Sequence, residues 1–87
     1  MRALFVGGLV DNSELDFDDG MPPRHYPENT GAGQSRYRLY QLGRQGNETI
    51  AYAVYAAPDL AEEVIDRIID ERDYPRRFEA TPAPPPA

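Results

Sequence analysis

Residues 58–74 carry the strongest periodic pattern in the chain and constrain its fold most. Apolar side chains recur there at helical spacing, and they are Leu60, Ala61, Val64, Ile65, Ile68 and Ile69. Such a stripe is wide enough to cover a sheet. Pro58 suits the first turn of a helix, and Pro75 disfavours helical backbone at the residue before it. The pattern predicts an amphipathic helix that ends near Tyr74 and packs its stripe on other elements.

The segment before this helix is typical of a β-hairpin. Residues 35–42 and 48–56 are rich in β-forming side chains and flank a glycine-containing turn. In the second arm, large side chains alternate with mostly small ones. The large side chains are those of Ile50, Tyr52 and Val54. Because alternate residues of a strand share one face, we expect this large apolar face to pack on the helix.

The two ends of the chain have different patterns. Residues 2–6 favour a first strand, which Gly7 and Gly8 end. Residues 11–34 are rich in Asp, Asn, Gly and Pro and predict a long loop. Residues 79–87 are rich in Pro and Ala, lack apolar periodicity and predict a disordered, polyproline-like tail.

The order of these elements predicts one α+β domain over residues 1–78. We expect a small three-stranded, mostly antiparallel sheet, made of the first strand and the hairpin, with one C-terminal helix packed on one face. The 87-residue chain has no cysteine, so no disulfide or cysteine-zinc cluster can supplement its thin core. Its stability must come from packing.

Charge and hydropathy exclude several classes of function. The net charge is −6, from 15 acidic and 9 basic residues, so direct nucleic-acid binding has no global electrostatic support. The apolar run at the N-terminus is short and interrupted by glycines, which argues against a signal peptide, and no run approaches the length of a membrane span. We expect a cytoplasmic protein without a membrane partner.

No catalytic, cofactor or metal site is evident in the sequence. His25 is the only histidine, and an enzyme built around it would need a deep pocket with a carboxylate such as Asp16 or Asp18. The acidic segment 11–20 lacks the ligand spacing of a calcium-binding EF-hand, although weak calcium binding stays open. Gly7-Gly8 follows a strand, but no helix begins there, which disfavours a phosphate site. A non-enzymatic protein without a small-molecule substrate is the better prediction.

The predicted sheet leaves one face without a cover. That face would carry a candidate protein interface whose residues are Arg36, Arg38, Tyr40, Ala53 and Tyr55. Arginine and aromatic side chains are enriched at protein interfaces, although such a mixture is also common on an ordinary strand. We expect either residues 11–34 or another chain to cover this face, and a homodimer is one form of the second alternative.

The predicted helix carries a second candidate surface, which we call the acidic row. Its residues are Glu62, Asp66, Asp70 and Asp73. Successive carboxylates would lie about 6 Å apart or less along the helix, so the row could imitate a nucleic-acid backbone. The alternative function is thus an acidic inhibitor of a nucleic-acid-processing protein, of the kind carried by mobile elements. Solvated helix faces are also commonly acidic.

Overall fold

The computed structural model describes residues 1–18, 20–26, 36–46 and 49–86. These residues form six strands and two helices. The strands are β1 (Arg2–Val6), β2 (Glu14–Asp16), β3 (His25–Tyr26), β4 (Tyr37–Gln45), β5 (Thr49–Ala56) and β6 (Thr81–Ala83). The helices are α1 (Glu62–Arg72) and α2 (Tyr74–Arg77).

All six strands belong to one curled, mixed sheet. Its order is β2-β1-β5-β4-β3, and β6 pairs with β4 beside this path. β1 runs parallel to β5, with Arg2 opposite Tyr52 and Val6 opposite Ala56, whereas every other pairing is antiparallel. The predicted three-stranded, mostly antiparallel sheet is therefore wrong, although an α+β class fits the structure.

The three strands that the sequence did not predict are very short. β2 and β3 lie within residues 11–34, which were expected to be loop, and β6 lies within the expected tail 79–87. β6 pairs antiparallel with β4 and places Pro82 opposite Gly43. Proline has no N–H to donate, so it is tolerated in a strand at the edge of a sheet. These strands escape prediction because nonlocal pairing, and not their own composition, holds them in the sheet.

The first core lies between the sheet and α1. Its buried residues are Leu4, Val6, Tyr52, Val54, Ala56, Ile65, Ile69 and Tyr74. Tyr52 and Val54 thus pack on the helix side as expected, but Ile50 packs with the opposite core. The β4–β5 pairing shifts between Gly43 and Arg44, which leaves Ala51 as an extra residue in β5. Such a bulge interrupts the alternation of side chains, so Ile50 and Tyr52 on either side of it lie on opposite faces.

The second core closes the face of the sheet that was expected to be uncovered. Its buried residues are Ala3, Phe5, Leu39, Leu42, Ala53 and Tyr55. Around them packs an aromatic cluster, which we define as Phe5, Phe17, Tyr26, Tyr37 and Tyr55. The Phe5 and Tyr55 rings stack with centroids 5.6 Å apart, and the Phe17 and Tyr26 centroids are 5.4 Å apart.

The described part of the predicted loop supplies the cover. Phe17 and Tyr26 both come from it, and the Tyr55 hydroxyl donates a hydrogen bond of 2.7 Å to the Pro23 carbonyl. Backbone hydrogen bonds join Leu39 to Arg24 and Phe17 to Met1. This face was expected to be covered either by residues 11–34 or by another chain. In the structure, described residues from that segment cover it.

Gly43 is the position where the first core tolerates no side chain. A Cβ atom there would lie 2.0 Å from Cε2 of Tyr52, whose ring is fully buried and whose hydroxyl donates to Oε1 of Gln41 at 2.8 Å. Since the ring has no room to move, Gly43→Ala should lower the free energy of unfolding by about 1–3 kcal/mol, measured by urea denaturation.

A Tyr52→Val background provides the control for this prediction. The tyrosine ring is absent there, so Gly43→Ala should cost less than in the wild-type chain, and the two substitutions should be coupled. Equal losses in the two backgrounds would mean that the Tyr52 ring is not what Gly43 accommodates.

Candidate interaction sites

The structure does not bring the predicted sheet interface together on one open face. Ala53 and Tyr55 have no exposed surface, because the aromatic cluster covers them. Arg36, Arg38 and Tyr40 are half-buried, and Tyr40 packs against the core on the helix side. A partner can therefore reach Ala53 and Tyr55 only if the covering segment moves away.

The acidic row is intact on the outer side of α1. Glu62, Asp66 and Asp70 are exposed, and Asp73 follows the helix in a left-handed conformation. Asp73 lies 3.8 Å from Arg76. Among the described residues, no arginine lies within ion-pair distance of Glu62 or Asp70.

Most of the arginine ion pairs among the described residues involve carboxylates outside the row. Arg2 contacts Glu14 and Asp16, and Arg77 also contacts Glu14. Arg72 pairs with Asp11, and Arg67 with Glu71. Among the described residues, no arginine therefore forms an ion pair with Glu62, Asp66 or Asp70.

A groove lies between α1 and the C-terminal segment, and we call it the acidic groove. Its volume is about 380 Å³. The residues that line it are Tyr40, Gln41, Glu62, Asp66, Pro82, Ala83, Pro84 and Pro85. The Tyr40 hydroxyl donates a 2.6 Å hydrogen bond to Oδ1 of Asp66, so it joins β4 to the acidic row.

The pKa of Tyr40 reports the electrostatic environment of this groove. Burial, the hydrogen bond to Asp66 and the negative charges of Asp66 and Glu62 together raise the pKa of Tyr40 to about 12. Arg38 opposes this shift. The groove therefore favours positive charge and disfavours the tyrosinate.

The turn after β1 forms a second structured region, which we call the β1 turn (residues 7–12). Gly7 and Gly8 have φ angles of 80° and 69°, a left-handed region that glycine adopts at little cost. The Gly7 N–H donates to Oδ1 of Asp11 at 2.7 Å, and Nη2 of Arg72 lies 2.9 Å from both Asp11 oxygens. A carboxylate of the chain itself thus occupies the place that an anion would take at Gly7.

The Asp11 carboxylate is stabilised in its charged form. Partial burial opposes ionisation, but the hydrogen bond from Gly7 and the hydrogen bond and charge of Arg72 outweigh it, so the pKa of Asp11 is lowered. Arg72 also donates to the Phe5 carbonyl and the Tyr74 hydroxyl. This ion pair therefore ties the β1 turn to the end of α1.

His25 does not form a site with any carboxylate in the described part of the chain. It lies on β3 opposite Arg38, and its side chain is exposed. Asp16 and Asp18 are exposed as well, and Asp16 contacts Arg2. Within the described ranges, no three His, Asp or Glu side chains cluster closely enough to hold a metal ion.

Comparisons with protein-family models, curated proteins and solved structures found no match for this sequence. Neither helix in the described part of the chain is long and apolar enough to cross a membrane. Function must therefore be inferred from the shape and charge of the surface.

Two features of these sites could not be read from the sequence. Tyr40 and Asp66 belonged to separate candidate surfaces, and only the tertiary packing of β4 beside α1 joins them. The pairing of Asp11 with Arg72 spans 61 positions. The Gly7-Gly8 pair shortly before an aspartate was the one local signal for the β1 turn.

The titration of Tyr40 depends on the charge of Asp66. Asp66→Asn keeps an oxygen acceptor but removes a negative charge, so it should lower the pKa of Tyr40 from about 12 toward its ordinary value of 10.0. Because the folded-state pKa is raised, the stabilising contribution of Tyr40 is complete below pH 10 and is lost as the pH rises toward 12. An NMR titration of the tyrosine ring carbons measures both effects.

Tyr52 is the control in the same titration. Burial alone raises its pKa to about 12, so Asp66→Asn should leave it unchanged. A wild-type Tyr40 that titrates near pH 10, or equal shifts of both tyrosines, would contradict the described environment.

The ion pair of Asp11 with Arg72 stabilises the fold in a pH-dependent way. Asp11→Asn should lower the free energy of unfolding at pH 7 by about 1 kcal/mol, a modest value because the ion pair is partly exposed. The lowered pKa means that this contribution is lost as the pH falls below about 4. Thermal unfolding at pH 7 and pH 2.5 tests this, since the two proteins should differ less at pH 2.5 than at pH 7.

Asp16→Asn is the matched control for Asp11. The Asp16 side chain is 81% exposed at its contact with Arg2, so the free energy of unfolding should not change measurably. A loss equal to that of Asp11→Asn would show that the β1 turn does not depend on the ion pair between Asp11 and Arg72.

Proposed function

We propose that this protein is a non-enzymatic interaction module that binds a basic protein through the acidic row of α1. The observation that carries the proposal is the exposure of Glu62, Asp66 and Asp70 on one helix, with no described arginine in contact with Glu62 or Asp70. A partner's cations can pair with these carboxylates without first displacing internal ion pairs.

The charge pattern favours a particular class of partner. Carboxylates spaced by about 6 Å or less along a helix form a line of negative charge, and nucleic-acid-binding grooves recognise such a line through their arginines and lysines. The net charge of −6 would also attract a basic partner over a distance. The proposed role is inhibition of a nucleic-acid-processing protein by occupation of its basic groove.

The acidic groove provides a defined point of attachment within this surface. Glu62 and Asp66 line it together with the Tyr40 ring, and a guanidinium group pairs with carboxylates and stacks on aromatic rings. Self-association through the sheet face has less support, because residues of the same chain cover Tyr55. We therefore place the binding surface on α1.

A pair of charge-reversed proteins tests this proposal. Titration of the 15N-labelled chain with an octa-arginine peptide should shift the amide signals of α1 and Tyr40. The affinity should fall by about tenfold or more in the Glu62→Lys, Asp70→Lys double variant, because two attractions become repulsions. Added salt should weaken wild-type binding.

The double variant Asp18→Lys, Glu79→Lys is the matched control. It changes the net charge by the same amount at exposed residues outside α1, so it should keep most of the affinity. Equal losses in both double variants would show that only net charge matters and would contradict a site on α1.

A second experiment tests the proposed inhibitory role. A nucleic-acid-processing protein retained from a cell extract on the immobilised wild-type chain should be released by duplex DNA and should not bind the Glu62→Lys, Asp70→Lys variant. Retention that duplex DNA does not reverse would exclude mimicry of a nucleic-acid backbone.

A further inference from the structure

The acidic groove is lined by three segments that differ in chemistry. α1 contributes the carboxylates of Glu62 and Asp66, and β4 contributes the ring of Tyr40 and the amide of Gln41. The C-terminal segment contributes apolar side chains, which are those of Pro82, Ala83, Pro84 and Pro85. The groove thus combines negative charge with flat apolar rings, and the middle of the acidic row offers charge alone.

A β-bulge in β4 directs two consecutive residues to this groove. The pairing of β4 with β5 shifts between Leu39 and Gln41, so Tyr40 is an extra residue in β4. Leu39 and Leu42 both pack in the second core, whereas Tyr40 and Gln41 between them line the groove. Strict alternation would place only one of these two side chains there. The position of the Tyr40 ring is therefore set by the sheet and by its hydrogen bond to Asp66.

The C-terminal segment forms an apolar wall of the groove. β6 runs antiparallel to β4, with Ala83 opposite Leu42, so the chain after Ala83 continues toward Tyr40. Pro84 and Pro85 follow there and line the groove. Because proline has no backbone N–H, neither position offers a donor that would compete for the carboxylates of α1. This wall can pack against the apolar part of a bound side chain without neutralising the negative charge.

The combination of charge and rings suits an arginine side chain better than a lysine side chain. The guanidinium group is planar and weakly hydrated, pairs with carboxylates through two parallel hydrogen bonds and stacks on aromatic rings. The lysine ammonium is a compact, strongly hydrated point charge. The groove volume of about 380 Å³ falls within the range of about 300–1,000 Å³ that is usual for small-ligand pockets.

We propose that the acidic groove is an arginine-selective subsite, which takes one arginine of the basic partner between the α1 carboxylates and the Tyr40 ring. This role rests on the proposed function, since it concerns the same partner and deepens the description of its surface. The acidic row attracts any cation, whereas the groove distinguishes arginine from lysine. The partner should therefore present an arginine opposite the groove.

The test compares octa-arginine with octa-lysine, two peptides of equal charge, in NMR titrations of the full chain at the same salt concentration. The wild-type chain should bind octa-arginine about fivefold more tightly. Tyr40→Leu should reduce this preference to about twofold or less and leave the affinity for octa-lysine nearly unchanged, because the carboxylates remain. Tyr40→Phe should keep the preference. Both variants lack the hydroxyl that binds Asp66, so only the ring distinguishes them.

A second variant tests the apolar wall without changing the core. Tyr40 packs against the first core, whereas Pro84 and Pro85 lie beyond the end of β6. The double variant Pro84→Ser, Pro85→Ser should therefore stay folded and should also lower the preference for octa-arginine. Pro86→Ser is the matched control, because Pro86 does not line the groove, and it should keep the preference.

The outcomes separate this subsite from the proposed function. An equal preference for octa-arginine in the wild-type chain, in Tyr40→Leu and in the double proline variant would overturn the subsite. The binding surface on α1 would still stand if Glu62→Lys, Asp70→Lys weakened the binding of both peptides. A wild-type chain that binds neither peptide at low salt would contradict both.

Discussion

The parallel pairing of β1 with β5 is the interaction on which the rest of the structure depends. It places β1 inside the sheet, between β2 and β5, and buries both of its faces. Leu4 and Val6 enter the core under α1, whereas Ala3 and Phe5 enter the core on the opposite side. Because both cores need this strand, its loss would open the molecule on two sides.

The same pairing decides which surfaces remain for partners. β1 and β5 end together, so the β1 turn lies beside the segment that leads into α1. The aromatic cluster and Pro23 close the other face of the sheet. Among the described residues, the acidic row and its groove remain accessible to a partner.

Local patterns in the sequence predicted the principal elements but not their arrangement. The apolar stripe from Leu60 to Ile69 indicated the helix that packs on the sheet, and helical spacing placed Glu62, Asp66 and Asp70 on its solvent side. β2, β3 and β6 have too few residues for a periodic signal. The side of Ile50 depends on a bulge, and the burial of Tyr55 depends on distant residues that fold over it, so neither could follow from alternation alone.

The most direct test of this account is the accessibility of Tyr55 to a soluble gadolinium chelate in an NMR experiment on the dilute protein. Both faces of the sheet are closed within one chain, so signals of the Tyr55 ring and the Ala53 methyl group should stay sharp while those of Met21 broaden. Broadening of Tyr55 to the extent seen for Met21 would show that the second face is open, and it would return the sheet face to consideration as the binding surface.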